Sequence, residues 1–278
     1  MASSGRLSAT IGLGLLAVLL TASCSFQKAN AQASKPSFNY TQGGADWGSL
    51  CVNGSFQSPI NVRTARATVN GTIGPDSSFV LQYERLSNYT IVNKGQTIEF
   101  EGGENNNLTL PTAIYKPTNG TSKLHLLQSH FHEPSEHLRE GVAYPLEQHF
   151  VHNDAATGRF AVLAVFYKID DEEVPNPFLS QILNYAPGGY NNKTVVTNQT
   201  IDLPAWIPIN SNYFHYNGSL TTPPCTEGIM WFVLDTPLTM SSAQLTQYQR
   251  LTFLGGGDRG DNRPLQRVGT RELQHWIK

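Results

Sequence analysis

The chain has 278 residues, with 24 Gly, 16 Pro, 39% hydrophobic and 10% aromatic residues. That suits one large globular domain or two small ones and excludes a disordered chain. Charged residues make up only 14%, against roughly 25% in an average soluble protein, so Asn, Ser, Thr and Gln must build much of the polar surface. A net charge of −2 with no two adjacent Lys or Arg leaves no basic patch for nucleic acid.

Arg6 followed by the apolar run Ile11–Leu20 and the small-x-small triplet Ala29-Asn30-Ala31 reads as a cleaved signal peptide over residues 1–31. Ten apolar residues are too few for a bilayer span, which needs about 20. A bacterial lipobox ending at Cys24 is the competing reading, weakened by Thr21 where Leu is wanted. Cleavage removes Arg6 and Lys28 and no acids, making the mature chain, 32–278, two charges more negative. With no second apolar span, the expected product is a secreted chain in an extracellular or periplasmic space. It keeps two cysteines, Cys51 and Cys225. In an oxidising compartment they permit one pairing; two separate buried thiols are the alternative.

Asn-x-Ser/Thr sequons begin at Asn39, Asn53, Asn70, Asn88, Asn107, Asn119, Asn192, Asn198 and Asn217. Their number points to a eukaryotic secretory route and a glycoprotein. Asn217 is expected to stay bare, on the ground that its backbone is buried.

In chain order, strand-like runs fall at Phe79–Tyr83, Thr97–Glu101, Leu108–Leu110, Leu124–His132, Gln148–His152, Phe160–Ile169 and Ile229–Leu234. Thr97–Glu101 alternates as a half-buried strand does, and Phe160–Phe166 is apolar throughout, as in a central strand. Helical patterns are short: Phe178–Tyr185, and Ser241–Leu251 with Ser241 as N-cap. No repeat or linker breaks the chain after residue 35. The fold class is mainly β, one domain with a few peripheral helices.

Eight histidines occur, six of them between His125 and His152. Residues i and i+2 of a strand share a face, so His130 and His132 project together with Gln128 beneath them. A loop through Glu133–Tyr144 would bring a second strand alongside and add His149. Three neutral imidazoles on rigid strands leave one position of a tetrahedral zinc ion open for water. Glu147 and Gln128 are placed to accept the second N–H of His149 and His130. A jelly-roll metal site is a competitor, since His130-x-His132 followed by Glu136 has its spacing; the glycines that pattern wants are Leu124 and Ala143 here. His125, on the opposite strand face from His130 by parity, reads as structural, and His137 and His152 as buried hydrogen-bonding groups.

The segments Gln57-Ser58-Pro59-Ile60-Asn61, Ser129–His132, Ser135-Glu136-His137, Glu147–His152, Tyr216–Cys225 and Arg263-Pro264-x-Gln266 together resemble the alpha-class carbonic anhydrases, over about Tyr40 to Arg271. The resemblance implies a large, twisted, mostly antiparallel sheet of about ten strands. It implies Zn2+ on His130, His132 and His149, with attack of zinc-bound hydroxide on carbon dioxide to give bicarbonate and a proton. Thr221 matches the threonine that accepts from that hydroxide and donates to a glutamate, here Glu136. Val151, Val162, Leu220 and Trp231 match the apolar wall for carbon dioxide. Thr222 and Tyr40 match members of the solvent network, and Cys51–Cys225 matches the bridge of exported members. No protein partner is implied.

One position departs from the pattern. Where many family members carry a proton-shuttling histidine after Asn-x-Gly, the sequence reads Asn93-Lys94-Gly95-Gln96, and glutamine does not titrate near neutral pH. His215, next to Tyr216, is the candidate substitute if it lies near the rim. A catalytically silent binding or storage protein on the same fold, and a zinc esterase, are the alternative functions; the first usually lacks a ligand histidine, and none is lacking here.

Overall fold

The computed structural model describes residues 38–278 except 49, 104, 117–122 and 253–259; the signal-peptide reading and Cys24 lie outside the described residues. Ten strands form the main sheet: β1 (Thr68–Thr72), β2 (Tyr89–Asn93), β3 (Ile98–Glu101), β4 (Lys123–His132), β5 (Leu146–Asp154), β6 (Arg159–Ile169), β7 (Lys193–Val196), β8 (Tyr213–Ser219), β9 (Glu227–Leu234) and β10 (Gln274–Ile277). Their spatial order is β7-β2-β3-β4-β5-β6-β9-β8-β10-β1, and three short strands off this path bring the sheet to thirteen. Pairing is mostly antiparallel, with parallel joins at β6–β9 and β10–β1.

Strand β6 is the sheet's spine. Its side chains alternate between two cores: Ala161, Leu163, Val165 and Tyr167 face one, Val162, Ala164 and Phe166 the other. β9 does the same, with Met230, Phe232 and Leu234 on the first side and Ile229, Trp231 and Val233 on the second. A strand buried on both faces needs no polar alternation, which is why Phe160–Phe166 reads apolar throughout. Each fully buried Phe or Leu contributes roughly 1.5–3 kcal/mol over exposure. The strands that periodicity missed, β2, β7, β8 and β10 among them, mix polar residues into their buried faces: β8 carries Tyr213, His215, Tyr216 and Ser219, all buried.

Three α-helices lie among the described residues: α1 (Leu50–Asn53), α2 (Pro177–Tyr185) and α3 (Ser242–Thr252). Asn176 caps α2, accepting from Leu179 N at 3.1 Å, with Pro177 at the first helical position. Ser241 Oγ accepts from Gln244 N at 3.3 Å, as its N-cap assignment requires. None of these helices is long and apolar enough to cross a membrane.

Cys51 and Cys225 are bonded to each other, with Cα atoms 5.1 Å apart and 174 residues of separation. A loop of that length is worth about 5 kcal/mol on the chain-entropy account. The bridge ties α1 to the Leu220–Cys225 turn, and the buried Arg263 reinforces it. The Arg263 guanidinium donates to Cys51 O at 2.6 Å, Ser58 O at 2.7 Å and Gln57 Oε1 at 2.9 Å. Gly218 in this region admits no side chain, because a Cβ would meet Ser58 Oγ at 2.1 Å.

Candidate metal centre

β4 and β5 run antiparallel with His130 opposite His149 and His132 opposite Glu147. The register places three imidazoles on one face, ring centroids 4.7–5.2 Å apart, with a ligand atom of each within 4.8 Å of the others. Every ring spends one nitrogen on an oxygen acceptor. His130 Nδ1 donates to Gln128 Oε1 (2.8 Å), His132 Nδ1 to the Asp261 carbonyl (2.9 Å) and His149 Nε2 to Glu147 Oε1 (2.8 Å). The opposite nitrogens, Nε2, Nε2 and Nδ1, are left as lone pairs facing inward. That donor set fits a divalent cation with a taste for imidazole, zinc foremost.

The electrostatics agree. Burial, with the neighbouring rings, holds His130 well below the ordinary histidine range, and burial also lowers His149. Burial pushes His132 down too, but Glu136 and Asp261 outweigh it and raise the group, so this corner favours positive charge. Burial alone would raise Glu147; the His137 ring and its hydrogen bonds reverse that and hold the carboxylate well below its usual range.

Glu147 anchors a buried chain. Its Oε1 also accepts from His137 Nδ1 at 2.6 Å, and His137 Nε2 meets Tyr216 Oη at 2.7 Å, which meets Ser58 Oγ at 2.8 Å. His137 is thus a structural hydrogen-bonding residue, as expected. So is His152, bonded to the Tyr83 hydroxyl.

A cavity of about 360 Å³ opens onto His130 and His132. Tyr40, Gln96 and Thr222, singled out in the sequence, line it, together with Gln128, read there only as the partner of His130, and with Phe38, Lys94, Glu99, Tyr190 and Asp261, which the sequence reading did not include. Val151, Val162 and Trp231 cluster on the same side of the sheet with Leu220 packed against them, and the Trp231 ring lies 4.8 Å from that of His149.

Thr221 is buried beside Thr222. The hydrogen bond from Thr221 to Glu136 that the family pattern implies is not among those formed. Glu136 Oε1 accepts from Arg263 N at 3.0 Å. Its Oε2 is buried with no hydrogen-bond partner, turned toward His132 Nε2 at 3.5 Å.

Two placements differ from the sequence reading. His215 is not at the rim: strand alternation turns it away from Tyr216 onto the far core, stacked on Phe232, with Nδ1 on the Trp231 carbonyl at 3.0 Å. Burial pushes its pKa down to about 4. His125 does not oppose His130. The β4–β5 register skips Leu127, so Leu124 and Leu126 share a core with Phe131, and the bulge returns exposed His125 to the face that carries His130.

Asp261 had no sequence signal. It arrives 129 residues after His132, and Gly260 lets it approach: a Cβ there would sit 2.0 Å from Glu133 O, at φ +76°.

A protein-family model described as eukaryotic-type carbonic anhydrase matches residues 42–276. The chain belongs to that family, the alpha class. The "Carbonic anhydrase" of Pectobacterium carotovorum is 34% identical over 238 residues, 83% of this chain and 86% of that protein. "Alpha carbonic anhydrase 6" of Arabidopsis thaliana is 34% identical over 224 residues, 75% of this chain and 76% of that one. Among solved structures, the alpha-carbonic anhydrase of Thermovibrio ammonificans in complex with the inhibitor sulfanilamide matches with a TM-score of 0.68. It is 33% identical, with coverage of 81% of this chain and 89% of that one.

Proposed function

We propose that this chain is a zinc-dependent carbonic anhydrase, a lyase that interconverts carbon dioxide and bicarbonate, exported after removal of residues 1–31. The observation that carries the reading is the trio of inward-facing lone pairs on His130, His132 and His149, in a chain of this family. When bound, zinc supplies a water acidic enough to lose its proton near pH 7; carbonic anhydrase itself is the standard illustration of that effect.

The protein's own residues do the rest. Neutral imidazoles leave the full double charge on the ion. Gln128, Glu147 and the Asp261 carbonyl fix the ring orientations. Glu136 Oε2, an acceptor without a donor, suits the Thr221 hydroxyl; with its hydrogen committed there, Thr221 can only accept from the nucleophile, selecting one orientation of it. The apolar group Val151, Val162, Leu220 and Trp231 holds a small uncharged substrate weakly, so bicarbonate leaves readily. Thr222 and Tyr40 order solvent in the cavity.

Gln96 lines that cavity with its amide donating to Phe38 O at 3.0 Å, and it cannot carry a proton near pH 7. Transfer straight to water from a group of pKa about 7 costs ~12 kcal/mol and limits turnover to roughly 10⁴ s⁻¹. Buffer is therefore the natural acceptor.

Metal analysis of the purified mature protein with a carbon dioxide hydration assay, before and after chelation and zinc return, tests the reading. Stoichiometric zinc and zinc-restored hydration are expected. Zinc-loaded protein with no hydration would leave the silent binding protein.

A further inference from the structure

The main sheet is open at both ends. Among the described residues no strand pairs with the outer side of β7 or of β1. An open edge presents unpaired N–H and C=O groups to any strand that drifts past, and charged side chains are the usual guard. That guard is thin here. β1, Thr-Val-Asn-Gly-Thr, carries no charge, and Val69 is 55% exposed. β7, Lys-Thr-Val-Val, has one lysine, drawn to Glu101 at 3.3 Å, and Val195 is 66% exposed.

Three sequons lie on or beside these two strands. Asn70-Gly71-Thr72 lies inside β1; Asn192-Lys193-Thr194 begins one residue before β7, and Asn198-Gln199-Thr200 begins two residues after it. Asn192 and Asn198 are exposed and Asn70 is half-buried. Asn192 Nδ2 spends one hydrogen on Gly188 O at 2.5 Å, leaving the other for substitution. Position in the sheet does not by itself decide burial: Asn217, on β8, is exposed, contrary to the buried setting expected for it, whereas the Asn107 sequon is closed off. Asn107, paired within the sheet, is 6% exposed with its amide turned onto Asn105 O at 2.6 Å.

We propose that Asn70, Asn192 and Asn198 carry N-linked glycans, and that these sugars guard the two open edges of the sheet in place of charge. In each transfer Nδ2 of the asparagine bonds to C1 of the first sugar of a lipid-linked oligosaccharide diphosphate. The bond from C1 to the phosphate oxygen breaks, the lipid diphosphate leaves, and the amide gives up one proton. The proposal rests on export through a eukaryotic secretory route. Attached there, a branched hydrated sugar blocks the lateral approach that edge pairing needs, while β8 and the other interior strands need no such cover.

The test uses the full chain secreted from cultured eukaryotic cells. Glycosidase release in heavy-oxygen water should convert Asn70, Asn192 and Asn198 to labelled aspartate and leave Asn107 unlabelled. Size-exclusion chromatography should show a monomer that gives way to dimers and larger species after native deglycosylation, and equally in the N70Q/N192Q/N198Q variant. Adding Val69→Lys and Val195→Lys to that variant should restore the monomer. Hydration activity per monomer should be unchanged throughout; its absence in the untreated, glycosylated protein would count against the zinc reading instead. Unmodified asparagines at the three positions, sugar at Asn107, or a deglycosylated protein that stays as monomeric as the glycosylated one would overturn the proposal.

Discussion

Nε2 of His130 and Nε2 of His132 face each other at 3.1 Å, and when both rings are neutral neither nitrogen carries a proton to share. Each ring keeps its hydrogen on Nδ1, committed to Gln128 Oε1 or to the Asp261 carbonyl. Two lone pairs so placed repel unless a cation lies between them. His149 completes the arrangement with Nδ1, because Glu147 holds the hydrogen on Nε2. The three acceptors, one amide, one backbone carbonyl and one carboxylate, thus decide which nitrogen of each ring is free to bind.

Proton export follows a different logic. If Gln96, which lines the cavity, stands where the proposed function places the shuttle, and with His215 buried on the far face, turnover at saturating carbon dioxide should rise with the concentration of a small imidazole-type buffer. The effect on kcat/KM should be small, because that parameter reports steps before the proton leaves. Gln96→His should raise kcat in dilute buffer and flatten the buffer response. A kcat that is high and indifferent to buffer in the unmodified protein would place the proton path elsewhere.

Acid should destabilise the fold through its buried neutral histidines. Burial pushes His152 down to about 3 and His215 to about 4, against about 6.5 for an unfolded chain. Below pH 6.5 the unfolded state takes up protons that the folded state refuses. Stability present above that pH is lost progressively as pH falls toward the folded values. Urea unfolding followed from pH 7 to pH 4.5 should show a loss that steepens toward roughly two protons, and His152→Gln should flatten the slope by about one. Identical slopes in the two proteins would show that His152 titrates normally.

The disulfide makes a simpler prediction. Thiol titration of the unfolded mature protein should find no free thiol before reduction and two after it, and reduction should lower the thermal midpoint. The bond closes 174 residues and holds the turn that carries Thr221 and Thr222. Two thiols at the outset would remove both the bridge and the argument from it to export.

What could be read from the sequence divides along physical lines. Period-two spacing placed His130, His132 and Gln128 on one face, because a strand's side chains alternate whatever surrounds them. The apolar run of β6 and the cap at Ser241 mark elements whose cause is local. His149 needed only one hairpin-like return. The face of His125 came out reversed, because a bulge at Leu127 shifts the parity and leaves no mark in side-chain type. His215 went astray for want of β8, whose polar interior breaks the hydrophobic pattern. Asp261, Lys94 and Glu99 reach the cavity through tertiary approach alone. The glycine that lets Asp261 in, Gly260, is one of 24 in the chain and carries no signal of its own.

The most direct measurement is zinc bound per chain, by metal analysis after dialysis against a zinc buffer, for the wild type and His149→Ala, with hydration assayed on the same samples. The account predicts stoichiometric zinc and full hydration in the wild type. It predicts zinc occupancy lowered and hydration abolished in the variant, with far-ultraviolet circular dichroism showing the sheet intact. Full zinc occupancy and near-normal hydration in His149→Ala would remove that residue from the ligand set and contradict the three-histidine centre.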